Sequence, residues 1–588
     1  MSKKLEDLRK LLKSNMIDGF IVPHADEYGE EIIADRDRRL KWLTGFTGEG
    51  GLALIFADRA FLLVDGRFTT QAKQEVNSKD FTVLEYTQKT PVQIIREEMK
   101  VASRMGYDPK LHSIMGTTEL RKACEKAGAF PLSVKHNPID SLWENRPAEP
   151  SSSVFLLEEK YCGTKAEDKI ARVASSLKSA KEDAVILSSP QSICWLLNVR
   201  GSDVPFLPII RSYAIVHATG SVDWFIDPDR IGADLRKALG ENVRVLPPAI
   251  FVPEIERLAK KRKNIRLDPR QSSSWLENII AIYGGKISLG SDPCSDLKAI
   301  KNETEIAGIK NAHLKDGIAI CKFLYWLETE GVGKTEYEAS QKLEEFKSEG
   351  ELYKYPSFPS ISASGENAAL AHYVPAETGS RKLKKDELYM IDCGSQYLDG
   401  TTDVTRTVCF APPTPEHIAR FTEVLKGHIA LAGALFPKGT FGFELDSLAR
   451  QFLWQTGHNY SHGTGHGVGF FLSVHEAPPT ISLGRDSLPL AEGMIVTNEP
   501  AYYKDGAFGI RLENVLLVKK ADIKGEAEML CFEPLTLVPF AKELIDFSAL
   551  TPSEKKWLAA YHKHVYEMLA PHLSPALKKW LKTKTEIA

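Results

Sequence analysis

Apolar residues recur along this chain at two spacings, and each predicts an element. Helical spacing puts Ile306, Ile309, Ile318, Cys321 and Leu324 in one apolar pattern, and Trp557, Leu558, Tyr561, Val565, Met568 and Leu569 in another, the mark of amphipathic helices. The second stripe opens on Thr551-Pro552-Ser553-Glu554, a capping box with proline at the first helical position, and Pro571 closes it. It predicts a helix packed on its own domain, with a subunit contact as the alternative. Short apolar runs predict strands over 388–394 and 402–408 around an Asp399-Gly400 turn, and over 494–500 and 509–515.

Two stretches interrupt these patterns. Prolines and serines fill 145–153, and Gly290-Ser291-Asp292-Pro293 precedes the first long helical stripe. They predict three domains, 1–146, 147–295 and 296–588, the last ending in a helical extension. The first two resemble copies of one unit. Asp18-Gly19-Phe20-Ile21-Val22-Pro23 is echoed by Asp183-Ala184-Val185-Ile186-Leu187, and Leu62-Leu63-Val64-Asp65 by Trp224-Phe225-Ile226-Asp227. Strands alternating with helices in both predict two related α/β domains.

Composition narrows the partners. The 588 residues are 43% apolar and 26% charged, with a net charge of −3. That balance supplies no global field for nucleic acid or an anionic membrane. The start, Met1-Ser2-Lys3-Lys4-Leu5-Glu6-Asp7, leads into a mixed-charge stretch without an apolar leader, and no run reaches membrane-spanning length. The eight cysteines form no Cys-x-x-Cys pair. They are expected as free thiols in the cytoplasm.

The chemistry lies in acids placed where strands should be apolar. Asp392 and Asp403 each interrupt one strand of the predicted hairpin, and two buried carboxylates there ask for a compensating positive charge. A strict two-residue turn at Asp399-Gly400 would set Asp403 opposite Gln396, so bringing it beside Asp392 requires a bulge or a wider loop. His462-Gly463-Thr464-Gly465-His466-Gly467 has too many glycines for a helix and predicts extended or looped backbone passing close to something. Glu499 ends a strand at Pro500, and the two-residue period puts Arg511 and Glu513 on one face of the next. Taken singly, each acid reads as a structural carboxylate paired with arginine. Together, four carboxylates and one histidine suit two divalent cations, manganese before cobalt or zinc because the set is rich in oxygen.

These motifs resemble the pita-bread metallopeptidases, in particular the long, three-domain aminopeptidase P (Xaa-Pro aminopeptidase) family. Ile33-Ala34-Asp35-Arg36-Asp37-Arg38-Arg39-Leu40, Thr44-Gly45-Phe46-Thr47-Gly48 and Arg200-Gly201-Ser202-Asp203 extend the likeness to the front half. The resemblance implies two creatinase-type N-terminal α/β domains, then an α+β pita-bread catalytic domain. It implies Asp392, Asp403, His466, Glu499 and Glu513 as metal ligands, with Asp403 and Glu513 bridging. His372, His462 and His475 are implied as substrate-binding and proton-shuttling residues, Arg511 as orienting the bridging carboxylate or nearby substrate groups, and Glu499 as general base. Where the likeness leads to Asp at position 498, this chain has Asn498.

The implied activity is removal of the first residue from peptides with proline second, by a metal-activated hydroxide, in a homodimer formed through the C-terminal domain. Prolidase, methionine aminopeptidase and a non-catalytic protein-binding module of the same fold are the alternatives. Gly331-Val332-Gly333-Lys334-Thr335 imitates the end of a nucleotide-binding loop. With Glu328 at the first glycine position and a helix before it, it reads as a helix-ending loop instead.

Overall fold

The computed structural model describes residues 2–484 and 488–586. They form two compact units, Met1–Leu157 with Thr164–Ser295, and Glu158–Gly163 with Asp296–Ala588. Residues 158–163 thus pack with the C-terminal unit although they fall within the expected second domain. Asn302 Nδ2 donates to the Cys162 carbonyl at 2.9 Å, and Gly163 passes so close to Thr304 that an added Cβ would stand 2.6 Å away.

The first unit contains the same sheet twice. In the first copy Gly19–Pro23 runs antiparallel to Leu52–Phe56, which runs antiparallel to Ala60–Val64, and Thr82–Glu85 extends that side in parallel. Arg104–Tyr107 and Phe130–Ser133 extend the other side in parallel. Ala184–Leu187, Tyr213–His217, Val222–Phe225, Val243–Leu246, Asn264–Leu267 and Lys286–Leu289 repeat that order and those directions. Even the entry into each sheet is repeated. The Asp18 carboxylate accepts from Arg104 N at 2.7 Å, and that of Asp183 accepts from Asn264 N at 2.8 Å. Between the copies, buried Arg211 lies 2.7 Å from Asp37 and 3.4 Å from Asp26, so each charge removed from water has a partner.

The second unit packs helices against strands that carry the acids. Helix Glu303–Trp326 ends through a wider turn, Leu327–Gly331, and Thr335 caps helix Glu336–Ser348 with a reciprocal Thr335–Glu338 box. The glycine-lysine stretch is the connection between two helices, as its context predicted. Helix Pro552–Leu569 starts with the expected box, Thr551 N donating to Glu554 at 2.7 Å. Its Leu558, Tyr561, Val565 and Leu569 are buried in the same core as Phe540 and Leu544, and Met568, 39% exposed, marks the edge of the stripe. The stripe therefore packs on its own domain. Each of the eight cysteines lies outside any disulfide, and no helix among the described residues is long and apolar enough to cross a membrane.

Candidate metal centre

The hairpin that carries Asp392 and Asp403 turns one residue earlier than expected. Tyr397 pairs with Gly400 and Gln396 with Thr401, so the turn is made by Leu398 and Asp399, not Asp399 and Gly400. Asp399 is held there by Lys315 at 2.8 Å and Asn311 at 2.7 Å, both on helix Glu303–Trp326. The one-residue shift sets Asp392 opposite Thr405, with Asp403 its diagonal neighbour on the same face. No bulge is needed. Tight packing at Gly394 completes the crossing, because a Cβ there would meet the Thr402 carbonyl at 2.2 Å.

The glycine-rich segment is extended, as expected, and what it passes close to is the neighbouring backbone. Gly465–Gly467 is a strand lying between Glu476–Ile481 and Ile495–Asn498. A Cβ at Gly465 would stand 2.0 Å from the Thr497 carbonyl oxygen, and one at Gly467 would stand 2.2 Å from that of Glu476. Squeezed between them, His466 Nδ1 lies 2.9 Å from the Gly467 carbonyl. A carbonyl only accepts, so Nδ1 donates and Nε2 is the nitrogen left to act as a ligand. Nε2 faces Asp403 Oδ2 and Glu499 Oε1, both at 3.5 Å.

Arg511 and Glu513 do not lie in one continuous strand. The chain leaves Phe508–Arg511 and begins Asn514–Lys520 two residues later, with Leu512 and Glu513 in neither strand. They still meet, because Thr405 Oγ1 donates to Glu513 Oε2 at 2.7 Å while Arg511 Nε reaches Thr405 Oγ1 at 3.2 Å.

Atoms of Asp392, Asp403 and Glu513 that could hold a metal ion lie within 4.8 Å of one another, as do those of His466, Glu499 and Glu513, and those of Asp403, His466 and His475. Three buried carboxylates, the half-buried Glu499 and an imidazole nitrogen are thus gathered with Arg511 beside them. Burial and the charge of Glu513 push Asp403 well above the usual carboxylate range, and burial and Glu499 do the same to Glu513. Glu499 is raised to about 7, by burial first and by Asp392 next, against the opposing pull of Arg511. Asp392 Oδ1 is buried and accepts no hydrogen bond. An unsatisfied carboxylate oxygen, repelling carboxylates and an imidazole nitrogen directed among them fit divalent cations.

The remaining expected residues lie around this cluster. The His475 ring packs edge-on at 4.4 Å from that of His466, and the next residue, buried Glu476, is held by Lys301 at 2.6 Å and Lys298 at 3.1 Å. His462 has both ring nitrogens engaged, Nδ1 with the Gly463 carbonyl at 2.7 Å and Nε2 with Tyr503 Oη at 2.9 Å. His372 follows Ala371, whose carbonyl accepts from Arg511 Nη2 at 3.2 Å. Asn498 turns away from the cluster and donates Nδ2 to the His428 carbonyl at 2.9 Å, a bond that an ionised aspartate could not make.

Tyr503 is the residue that sequence reasoning missed. Its hydroxyl links Arg511 Nη1, at 2.5 Å, to His462. The signal was an Asp505-Gly506 turn joining Ala501–Lys504 to Phe508–Arg511, which puts Tyr503 opposite Gly509 and diagonal to Arg511.

Comparison with known proteins accounts for both units. Residues 4–140 and 145–305 each match the creatinase/prolidase N-terminal domain, 307–520 match metallopeptidase family M24, and 528–587 match its C-terminal region. A probable Xaa-Pro aminopeptidase P of Paracoccidioides brasiliensis is 36% identical over 100% of this chain and 99% of its own length. The structure of an X-prolyl aminopeptidase from Caenorhabditis elegans, described as a cytosolic enzyme with a di-nuclear active site, superposes with a TM-score of 0.95. It is 33% identical and covers 100% of this chain and 99% of that one. A Xaa-Pro dipeptidase from Bacillus anthracis shares the fold over 64% of this chain and 99% of its own, with a TM-score of 0.52 and 23% identity. The chain belongs to metallopeptidase family M24, among its Xaa-Pro aminopeptidase P members, with two creatinase-type α/β domains ahead of a pita-bread catalytic domain.

Proposed function

We propose that this protein removes the N-terminal residue from peptides with proline in second position. The observation that carries this reading is the convergence of Asp392, Asp403, His466, Glu499 and Glu513 from four separate stretches of chain, in a protein similar over its full length to Xaa-Pro aminopeptidases. We assign these five as the ligands of two divalent cations, with Asp403 and Glu513 shared. Manganese is favoured by the oxygen-rich set, and cobalt and zinc are the alternatives. When bound, the cations would acidify water towards neutral pH and polarise a carbonyl oxygen.

The side chains divide the remaining work. Glu499 takes the proton of the attacking water. His475 or His462 steadies the oxygen of the scissile carbonyl as it gains charge, and His462 must first release one of its two hydrogen bonds to do so. His372 helps to deliver a proton to the prolyl nitrogen as it leaves. Arg511, bonded to Asp392, Tyr503 and Ala371, fixes the carboxylates and the segment leading to His372. An X-Pro bond has no N–H to recognise, so selection rests on the shape of the ring.

We place the protein in the cytoplasm as a homodimer formed through its C-terminal domain, with domain limits at 146/147 and 295/296. The deciding experiment compares Xaa-Pro dipeptides, Xaa-Pro-Xaa tripeptides and Met-Ala peptides with and without manganese. Metal-dependent release of the first residue from the tripeptide is expected. Turnover of the dipeptide alone would make the protein a prolidase, and absence of both metal binding and hydrolysis would make it a binding module.

A further inference from the structure

Glu336 is a fully buried carboxylate whose hydrogen-bond donors are all neutral. Oε1 accepts from Ser364 N at 2.6 Å and Ser364 Oγ at 2.8 Å, and Oε2 from Asn367 Nδ2 at 2.9 Å and Tyr373 Oη at 2.7 Å. It occupies the first position of helix Glu336–Ser348, where the helix end favours negative charge. Its carbonyl accepts from Ser362 Oγ at 2.7 Å. Such a group is expensive to bury, and fully satisfied it specifies one arrangement of everything bonded to it.

What it specifies is a single stretch of chain. Ser362, Ser364, Asn367 and Tyr373 all belong to the segment that runs from strand Ile361–Ser364 through the short helix Gly365–Ala369 and past His372 to Tyr373. Glu336 grips its beginning, middle and end. The far end is held twice, because Ala371 is bonded to Arg511 and Tyr373 to Glu336, with His372 between them. Burial and the neighbouring Glu336 charge raise the Tyr373 phenol, so it remains a donor at neutral pH.

We infer that Glu336 is a positioning residue for the reaction, setting the place of His372 against the substrate through its bond from Tyr373. The inference rests on the role given to His372 above. It touches neither the carboxylate cluster nor the substrate, so its loss should leave metal binding intact.

The test is a double-mutant cycle of Tyr373→Phe and His372→Ala, assayed on an Xaa-Pro-Xaa tripeptide with manganese, with kcat, KM and bound metal measured for each protein. Tyr373→Phe alone is expected to lower kcat/KM roughly 10–100-fold, to leave bound metal unchanged, and to have no further effect once His372 is alanine. Glu336→Gln, which turns an amide donor towards two other donors, is expected to reproduce that loss. Should it fail to fold, the tyrosine cycle decides alone. Independent, multiplying losses in the double variant would overturn the positioning role while leaving His372 in the reaction. Wild-type rates in His372→Ala would overturn both.

Discussion

Arg511 Nη2 lies 2.5 Å from Asp392 Oδ2 in a buried pair, and the same guanidinium reaches Tyr503, Thr405 and the Ala371 carbonyl. Only a planar fork can serve four partners at once, and lysine would keep the charge while losing the geometry. Arg511→Lys is therefore expected to lower kcat/KM or metal affinity about 10–100-fold, the usual loss when a group orienting a ligand is removed. Steady-state kinetics with metal titration would check it. Unchanged values would mean that charge alone matters at this position.

Glu499 has two assigned tasks, holding metal and accepting a proton. Glu499→Gln is expected to cost about 10²–10⁴-fold in kcat, the range for removal of a general base. The metal-free variant should also be more stable than metal-free wild type at pH 8, since it lacks one of several mutually repelling carboxylates. Wild-type turnover would remove Glu499 from the chemistry. A less stable metal-free variant would contradict the electrostatic account.

Burial and that repulsion together set a pH dependence. Folding raises Glu499 from an ordinary 4.5 to about 7, and raises Asp403 and Glu513 as well. Between these values the folded metal-free chain keeps protons that the unfolded chain releases, so this contribution is complete below 4.5 and is lost as pH rises through about 7. Added manganese should consequently raise the melting temperature more at pH 8 than at pH 5, where protons compete for the same oxygens. Equal shifts at both values would show that the carboxylates are not linked to the metal.

How much of this was legible in the sequence depended on whether a signal was local. The repeated α/β units were visible because each strand is a short apolar run opened by an aspartate, Asp18 or Asp183, with the same structural use. The capped helix at Thr551 was legible for the same reason. The hairpin register was not. Asp399-Gly400 has the composition of a turn, yet Lys315 and Asn311, some 80 residues earlier in the chain, hold Asp399 where Leu398 and Asp399 make the turn. The break between Arg511 and Glu513 was hidden too, since both residues converge on Thr405, whose position only tertiary pairing with Asp392 determines. Glu336 carried no sequence signal beyond a place at a helix start, because its donors lie 28 to 37 residues away.

The backbone that presents His462 is held from beneath by one arginine. Arg450 donates to the His462 carbonyl at 2.6 Å and the Tyr460 carbonyl at 2.7 Å, and stacks over the Tyr460 ring at 3.9 Å. Its charge is met by Asp446 at 2.6 Å, one helical turn earlier, and Asp446 in turn accepts from Thr464 Oγ1 at 2.6 Å. Both charged groups are buried, so removing one strands the other. Arg450→Met is expected to cost about 3–5 kcal/mol of stability, measurable by chemical denaturation. Arg450→Lys preserves the pair with Asp446 but cannot also serve both carbonyls, so it should fold while its kcat/KM falls roughly tenfold through a loosened His462. The two variants separate anchoring from bulk stability. If Arg450→Lys kept wild-type kcat/KM, the Asp446–Arg450 pair would be a core ion pair with no bearing on the site.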